Sequence, residues 1–264
     1  MNKQGSEVEV YLFPSRERSI LRRSLTGLLA GVVCIGLGPG SVFANPSKPP
    51  VPEDEMVSRY MDATQQQQTA LRGGTMEVDI DANVPKMKTH GKLHALKSIS
   101  KLGKITYHAL GFSGDNSVKT EVIARYLQAE VDAARQGQNF SVTPANYKFK
   151  YKGMEARAGR DVYVLHVTPR QKKIGLFKGE LWVDAQTYLP VRESGSFVKT
   201  PSIFLKKMQF VRDYDIQNGV AVPQRMESKA DVRFIGPVEL SVDYFKFSKE
   251  EPDTAAVGAS DPQQ

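Results

Sequence analysis

The side chains of this 264-residue chain that could do acid–base or metal chemistry are mainly its four histidines. His90 and His94 stand four apart, the spacing that places two zinc ligands on one face of a helix. Their segment, KTHGKLHALKS, has instead the pattern of a turn and a strand, where side chains four apart lie about 13 Å from each other. His108 and His166 also fall within strand-like segments. The histidines therefore predict neither a metal site nor a catalytic base.

Nucleophilic and carboxylate chemistry has no better support. The serines in GFSGDNS and ESGSF do not form the G-x-S-x-G elbow, and no strand–turn–helix pattern surrounds them. The sequence contains no phosphate-binding loop and no dinucleotide fingerprint. Asp161, Asp184 and Asp213 stand where turns and strand ends favour polar residues. We therefore predict a protein that is not an enzyme and that uses no cofactor.

The first 44 residues have the order of a secretory signal peptide. A positive flank precedes an uncharged apolar run, residues 25–38, and Val42 and Ala44 occupy the positions that a signal peptidase recognises. We expect export to the periplasm with cleavage near Ala44. One alternative is an uncleaved segment that anchors the chain in the membrane, although the run is shorter than the ~20 residues of a spanning helix. Another is lipid attachment at Cys34. The positive flank before the apolar run consists of Arg16, Arg18, Arg22 and Arg23.

Cleavage at this site would leave about 220 residues without cysteine, since Cys34 is the only one. Such a chain has neither a disulfide nor a cysteine nucleophile, and its length suits one domain. The net charge of +7 falls to +5 after cleavage. Positive and negative residues are interspersed along the cleaved chain, so we expect no nucleic acid partner. We expect a spacer at 45–52, one domain at 53–248 and a loose polar tail at 249–264.

The mature chain opens with the pattern of an amphipathic helix. Pro52 and the acidic residues that follow it suit a helix N-terminus, and the glycines after Leu71 end the pattern. The glutamine tract at 65–68 is expected on a solvated face. The apolar face consists of Met56, Val57, Tyr60, Met61 and Thr64.

From Gly74 onward the period changes to two, the pattern of half-buried strands. Three strands precede a second amphipathic helix, which Asn116 or Ser117 is expected to cap and Gly137 to end. Only strands follow, joined by short turns. Such a run pairs mainly antiparallel, and a sheet of about eight to ten strands must curl. We predict an α+β, mainly β fold: a strongly curved antiparallel sheet that forms an incomplete barrel, with the helices across its concave side.

The C-terminal half also carries a succession of strand and turn motifs. A Y-x-L-x-x-x-P strand leads to a G-x-x-x-x-V-D-x-x-T-x-x-P hairpin, and a strand ending in tyrosine and a G-x-x-x-P strand follow. This succession resembles the outer-membrane lipoprotein-sorting, or LolA-like, superfamily, most specifically over residues 160–247. The matching residues are Tyr163, Leu165, Pro169, Gly179, Val183, Asp184, Thr187, Pro190, Tyr214, Gly219 and Pro223.

The resemblance implies a periplasmic, non-catalytic carrier that holds lipid or lipoprotein acyl chains in an apolar half-barrel, with membrane-bound donor and acceptor proteins as further partners. The alternative is an envelope sensor or structural protein that binds a protein partner on the same scaffold. Alternation along the strands indicates which residues share a face; that they line a lipid cavity is implied by the resemblance. Trp182 has the opposite parity and is not expected to contact the ligand. The expected lipid-binding residues are Leu165, Val167, Leu181, Val183, Phe204, Met208, Phe210, Tyr214, Leu240 and Val242.

Overall fold

Segments of alternating apolar and polar residues form ten β-strands. The computed structural model describes residues 51–136, 141–200, 203 and 205–249. The expected signal peptide, the cleavage site and residues 250–264 of the expected tail lie outside the described residues. The strands are β1 (Gly74–Val84), β2 (Thr89–Ile99), β3 (Ile105–Gly114), β4 (Tyr147–Arg157), β5 (Arg160–Pro169), β6 (Phe177–Asp184), β7 (Pro190–Phe197), β8 (Leu205–Gln217), β9 (Val220–Val232) and β10 (Gly236–Lys249).

The ten strands make one antiparallel sheet in the order β3-β2-β1-β10-β9-β8-β7-β6-β5-β4. Pairing of β1 with β10 joins the three N-terminal strands to the seven C-terminal ones. Among the described residues, β3 and β4 end the sheet and do not pair with each other, so the sheet is not closed. Twist accumulated over ten strands curls such a sheet. The predicted fold, a curved antiparallel sheet forming an incomplete barrel with helices, is confirmed.

Helix α1 (Glu53–Leu71) begins as the sequence predicts, with Pro52 at its N-cap and three acidic residues in its first turn. Its apolar side buries Met56, Val57 and Tyr60. The glutamine tract differs from the prediction at one position. Gln67 is buried and donates a hydrogen bond from Nε2 to the Ala221 carbonyl at 2.8 Å. Its register on the helix explains this, since residue 67 lies seven positions after Tyr60 and therefore on the same face.

Helix α2 covers residues 116–136 and is not regular. An α-helical turn (Asn116–Val118) leads through a π-helical turn (Lys119–Ile123) into an α-helix (Ala124–Gln136). The predicted cap at Asn116 or Ser117 is wrong: Asp115 holds the N-cap position. Its carboxylate accepts a hydrogen bond from the His90 amide at 2.9 Å instead of capping the helix. This contact ties the start of α2 to β2.

The hairpin between β6 and β7 is built around two facing glycines and an aspartate turn. Asp184 Oδ1 accepts hydrogen bonds from the amides of Gln186 and Thr187, at 3.1 and 2.7 Å. Gly179 pairs with Gly195 across the two strands. A Cβ atom on Gly179 would lie 1.9 Å from the Ser194 carbonyl oxygen, so only glycine permits the observed approach.

Candidate functional site on the inner face

One row of directly opposed residues crosses all ten strands and defines the inner face of the sheet. Its two ends are apolar or aromatic, and its centre holds a charged pair, Arg212 opposite Glu193. Because directly paired residues point to the same side of a sheet, the row shows which side chains share this face. In strand order the row is Phe112, Leu93, Ile80, Val242, Met226, Arg212, Glu193, Leu181, Leu165 and Tyr151.

The apolar side chains around the β4–β6 part of the row are covered by α1, and we call this packed region the α1 cluster. Met56 and Tyr60 of α1 pack into it. It is rich in aromatic rings: Phe177 meets Phe210 edge to face at 4.9 Å between centroids. Its buried members are Met56, Tyr60, Tyr147, Tyr163, Leu165, Val167, Leu176, Phe177, Leu181, Val183, Tyr188 and Phe210.

The opposite part of the row is covered by α2, and we call this region the α2 cluster. Val118, Ile123 and Leu127 of α2 pack against β1, β2, β3, β9 and β10. Its buried strand residues are mainly aliphatic: Met76, Val78, Ile80, Ala82, Val84, Leu93, Ala95, Ala109, Met226, Leu240 and Val242, with Tyr244. The inner face is thus divided into two apolar regions, each with its own helix.

The residues expected to bind lipid are distributed over these regions rather than gathered in one. Five of them belong to the α1 cluster and are buried: Leu165, Val167, Leu181, Val183 and Phe210. Two, Leu240 and Val242, belong to the α2 cluster. Met208 is half-buried on β8, Tyr214 lies beside Arg212, and Phe204 falls outside the described residues.

A group of charged and tyrosine side chains occupies the inner face between the two apolar clusters, and we call it the polar seam. Lys97 on β2 is only 6% exposed, and its Nζ lies 3.0 Å from Oε2 of Glu130 on α2. Tyr107 donates a hydrogen bond to the same carboxylate oxygen. Lys97 also lies over the rings of Tyr107 and Tyr244, 5.6 and 5.4 Å from their centroids. These contacts compensate the buried ammonium group.

The other half of the polar seam is centred on β7 and β8. Arg212 Nη1 lies 3.5 Å from Oε2 of Glu193, which is 9% exposed, and 3.5 Å from the Tyr214 hydroxyl. Tyr126 of α2 and Tyr244 of β10 share a hydrogen bond of 3.1 Å between their hydroxyls. The two cations, Lys97 and Arg212, and the two carboxylates, Glu130 and Glu193, give the polar seam a net charge of zero.

Within the polar seam, two opposing effects act on the pKa of Glu130. Burial alone would raise the pKa of its carboxyl. The charge of Lys97, the Tyr107 hydrogen bond and the charge of Arg212 outweigh that effect and lower the pKa to about 2. Burial followed by the Glu130 charge raises the pKa of the Tyr107 and Tyr126 hydroxyls well above 10. The tyrosines therefore stay neutral hydrogen-bond donors while Glu130 stays ionised.

Our sequence analysis missed the polar seam, although a signal for it was present. Lys97 follows Leu93 and Ala95 at the same strand parity. Arg212 likewise has the same parity as Phe210 and Tyr214, which stand on either side of it. A charged residue at an inward parity predicts a buried ionic contact. The parity alone does not identify the partners, because Glu130 comes from a helix and Glu193 from another strand.

Helix α1 is held over its cluster by three polar contacts. The Tyr151 amide donates to Glu53 Oε2 at 2.8 Å near the start of the helix, and Gln67 binds Ala221 near its end. Arg59 donates to the Tyr188 hydroxyl at 3.2 Å in between. Two side-chain oxygens in this region, Gln67 Oε1 and the Tyr151 hydroxyl, are buried without a hydrogen-bond partner.

The outer face of the sheet carries paired charges instead. Trp182, opposite in parity to Leu181 as the sequence indicates, donates a hydrogen bond to Glu155 at 3.3 Å and lies under Arg192. His94 Nδ1 lies 2.7 Å from Asp79 Oδ1. In the part of the chain that the structure describes, no three histidine, cysteine or acidic side chains are grouped so as to hold a metal ion. No helix in that part of the chain combines the length and the apolar character that spanning a membrane requires.

Comparison with protein-family models finds no matching family. Comparison with curated proteins finds no match either.

Solved structures do match this chain. A DUF1329 family protein from Desulfovibrio piger aligns with a TM-score of 0.39 and 14% identity, over 77% of this chain and 94% of that one. A LolA superfamily protein from Nitrosomonas europaea aligns with a TM-score of 0.38 and 12% identity, over 74% of this chain and 94% of that one. A protein domain from Vibrio parahaemolyticus, described as an outer membrane lipoprotein-sorting domain, aligns with a TM-score of 0.35 and 12% identity, over 73% of this chain and 92% of that one. Two of these solved structures carry the name of the LolA-like, lipoprotein-sorting group that the strand motifs of this chain resemble.

Proposed function

We propose that this protein is an exported, non-catalytic binding protein of the cell envelope that holds acyl chains of a lipid or lipoprotein against the inner face of its half-barrel. The observation that carries the proposal is the covering of the inner face. Two separate apolar regions of an unclosed sheet are each covered by a single helix. Displacing a helix would expose a concave apolar surface that hydrocarbon can fill, with a gain of about 25 cal/mol per Å² of apolar area removed from water.

The region under α1 is the better candidate for the acyl chain. Its lining is aromatic and aliphatic with few polar groups, which is the composition of small-molecule sites. The unpartnered Gln67 and Tyr151 oxygens each carry a desolvation cost of about 1–3 kcal/mol. That cost is relieved when α1 lifts and water or a ligand headgroup reaches them. These two unpartnered oxygens therefore favour the opening of α1.

Lipid analysis of the purified protein tests the proposal. We expect native mass spectrometry to show a mass increment that organic extraction removes and identifies as acyl lipid. A protein that is free of lipid after gentle purification, and that takes up none when offered fatty acid, would contradict the proposal. In that case, binding of a protein partner on the same scaffold becomes the better hypothesis.

Trp182 provides a spectroscopic test of the position of the bound chain. It is the only tryptophan, and it lies on the outer side of β6 directly behind Leu181 and Val183. We expect a fluorescent polyene fatty acid bound under α1 to quench Trp182 emission by energy transfer across the sheet. Quenching should be lost when a non-fluorescent fatty acid displaces the polyene. Binding without quenching would place the chain elsewhere.

A further inference from the structure

One end of the sheet brings together three connecting loops, and we call them the basic rim: residues 85–88, 170–176 and 233–235. They join β1 to β2, β5 to β6 and β9 to β10. Since alternate connections of an antiparallel sheet lie at the same end, the strand order places all three at this end. The first and third loops touch, because Lys86 Nζ donates to the Phe234 carbonyl at 3.0 Å.

The three loops of the basic rim share one composition. Their sequences, PKMK, RQKKIGL and RFI, contain no aspartate or glutamate. Each also exposes a large apolar side chain next to a cation: Met87 is 57% exposed, Ile174 45% and Phe234 86%. The cations are Lys86, Lys88, Arg170, Lys172, Lys173 and Arg233.

The cations of the basic rim differ from several cations on the strands in having no acidic partner. On the strands, Lys92 pairs with Asp81 at 2.7 Å and Lys229 with Glu239 at 2.9 Å. Within the described residues, no cation of the basic rim forms an ion pair. Lys86 and Arg170 donate only to carbonyl oxygens, of Phe234 and Pro144. In the part of the chain that the structure describes, the charges of these six cations are therefore not neutralised by ion pairs.

From this composition we infer that the basic rim docks the protein on an anionic lipid bilayer. Unpaired lysines and arginines are attracted to anionic headgroups. Exposed apolar side chains at the loop tips can enter the boundary between headgroups and acyl chains. A bilayer complements both properties over several separate loops at once, because it places an apolar layer directly beneath anionic headgroups.

The inference goes beyond the proposed function and does not depend on it. Surface docking uses loop tips at one end of the sheet, whereas acyl binding uses the inner face under α1. A protein that binds vesicles without extracting lipid would support docking alone, and the reverse result would support acyl binding alone.

Vesicle co-sedimentation tests the inference. The probes are vesicles of phosphatidylcholine alone and of phosphatidylcholine with phosphatidylglycerol. We expect the exported protein to bind only the anionic vesicles, and less strongly as salt screens the charges. The variant Lys172→Gln, Lys173→Gln, Arg233→Gln should lose about fivefold in partitioning for each cation removed. Phe234→Ser should lose about tenfold.

The opposite end of the sheet provides a matched control. The loop between β2 and β3 holds Leu102, which is 93% exposed, between Lys101 and Lys104. The variant Lys101→Gln, Leu102→Ser, Lys104→Gln removes the same kinds of groups and should sediment like the unaltered protein. All variants share one N-terminus, so binding through residues 1–50 would be common to them.

Three outcomes would overturn the inference. The first is equal sedimentation of the unaltered protein and both basic-rim variants, and the second is absence of binding to anionic vesicles. The third is a dimer in solution that Phe234→Ser abolishes without any vesicle binding, which would make this end a contact between two copies of the chain.

Discussion

Charged side chains at inward-facing positions give the inner face its character. Lys97, Glu193 and Arg212 occupy strand positions whose neighbours of the same parity are apolar. Each is accommodated because an opposite charge or a tyrosine lies within reach, and such pairing is what makes a buried charge tolerable. Removing one partner is therefore expected to cost more than the pair itself contributes.

Replacement of Glu130 by glutamine should destabilise the fold by about 3 kcal/mol near neutral pH, because it leaves the Lys97 ammonium buried and unpaired. Urea unfolding of the two proteins measures the difference. The matched control is Glu239→Gln, whose partner Lys229 is exposed and whose loss should change stability by no more than about 0.5 kcal/mol. Equal costs for the two variants would contradict a buried ionic contact.

The same pair predicts a dependence on pH. The pKa of Glu130 is lowered in the folded protein to about 2 from an ordinary value of 4.5. A lowered folded-state pKa gives stability that is present above 4.5 and is lost as the pH falls from 4.5 towards 2. The stability difference between the unaltered protein and Glu130→Gln should therefore shrink across that window. A difference that stays constant from pH 6 to pH 3 would exclude Glu130 as its source.

Replacement of Gly179 by alanine should destabilise the hairpin by about 2–4 kcal/mol, because the added Cβ meets the Ser194 carbonyl oxygen and neither backbone can yield easily. Gly111→Ala is the control, since a Cβ there meets nothing within 4 Å. Thermal unfolding should separate the two variants clearly. Similar midpoints would show that β6 and β7 can move apart.

At the scale of elements, the two helices cover the sheet in different ways. Helix α2 is fixed by apolar packing and by the Glu130 contacts to β2 and β3. Helix α1 relies on a smaller set of packed residues and on polar contacts at Glu53, Arg59 and Gln67. We therefore expect α1 to be the helix that opens in the proposed acyl binding.

Glu53→Ala should loosen α1, because the Tyr151 amide loses its acceptor at a cost of about 1 kcal/mol. Hydrogen exchange of the α1 amides should become about fivefold faster, and fatty acid uptake should accelerate with it. Asp54→Ala removes an equivalent acidic residue from the same first turn without a contact to Tyr151. Equal exchange rates in both variants would attribute the effect to the helix dipole.

At the scale of the whole molecule, the open sheet separates three surfaces with different chemistry. The inner face is apolar with a polar seam, the outer face carries paired charges, and one end carries the basic rim. The proposed docking end and the proposed acyl site therefore lie on different surfaces of the molecule. Binding and docking can then be varied independently.

The stability of the whole protein should increase with the chain length of the fatty acid that it binds. Each methylene buried contributes about 0.8 kcal/mol, so affinity should rise about fourfold per methylene until the site is filled. Ligand at a hundredfold excess over its Kd should stabilise the fold by about 2.7 kcal/mol. Thermal unfolding with a series of saturated fatty acids measures both effects. Stabilisation that is independent of chain length would point to headgroup or surface binding instead.

Much of the fold follows from local pattern. Alternation from Met76 to Ile80 predicts a half-buried strand, and the Asp184–Thr187 turn and Pro190 predict the hairpin. These depend on side chains close together in sequence, where periodicity and turn chemistry act. The cap of α2 was predicted at the wrong residue because Asp115 and His90 meet only after β2 and β3 pair.

The sequence by itself determined the elements, their amphipathic faces and the mainly antiparallel sheet, because these depend on short-range periodicity. Only the tertiary structure decided how the faces combine. Strand register placed Arg212 opposite Glu193, and helix packing brought Glu130 to Lys97, which divided the expected lipid-binding residues between two regions. Strand order likewise gathered the three basic loops at one end. Register and order join residues far apart in the chain, and periodicity within one strand carries no information about either.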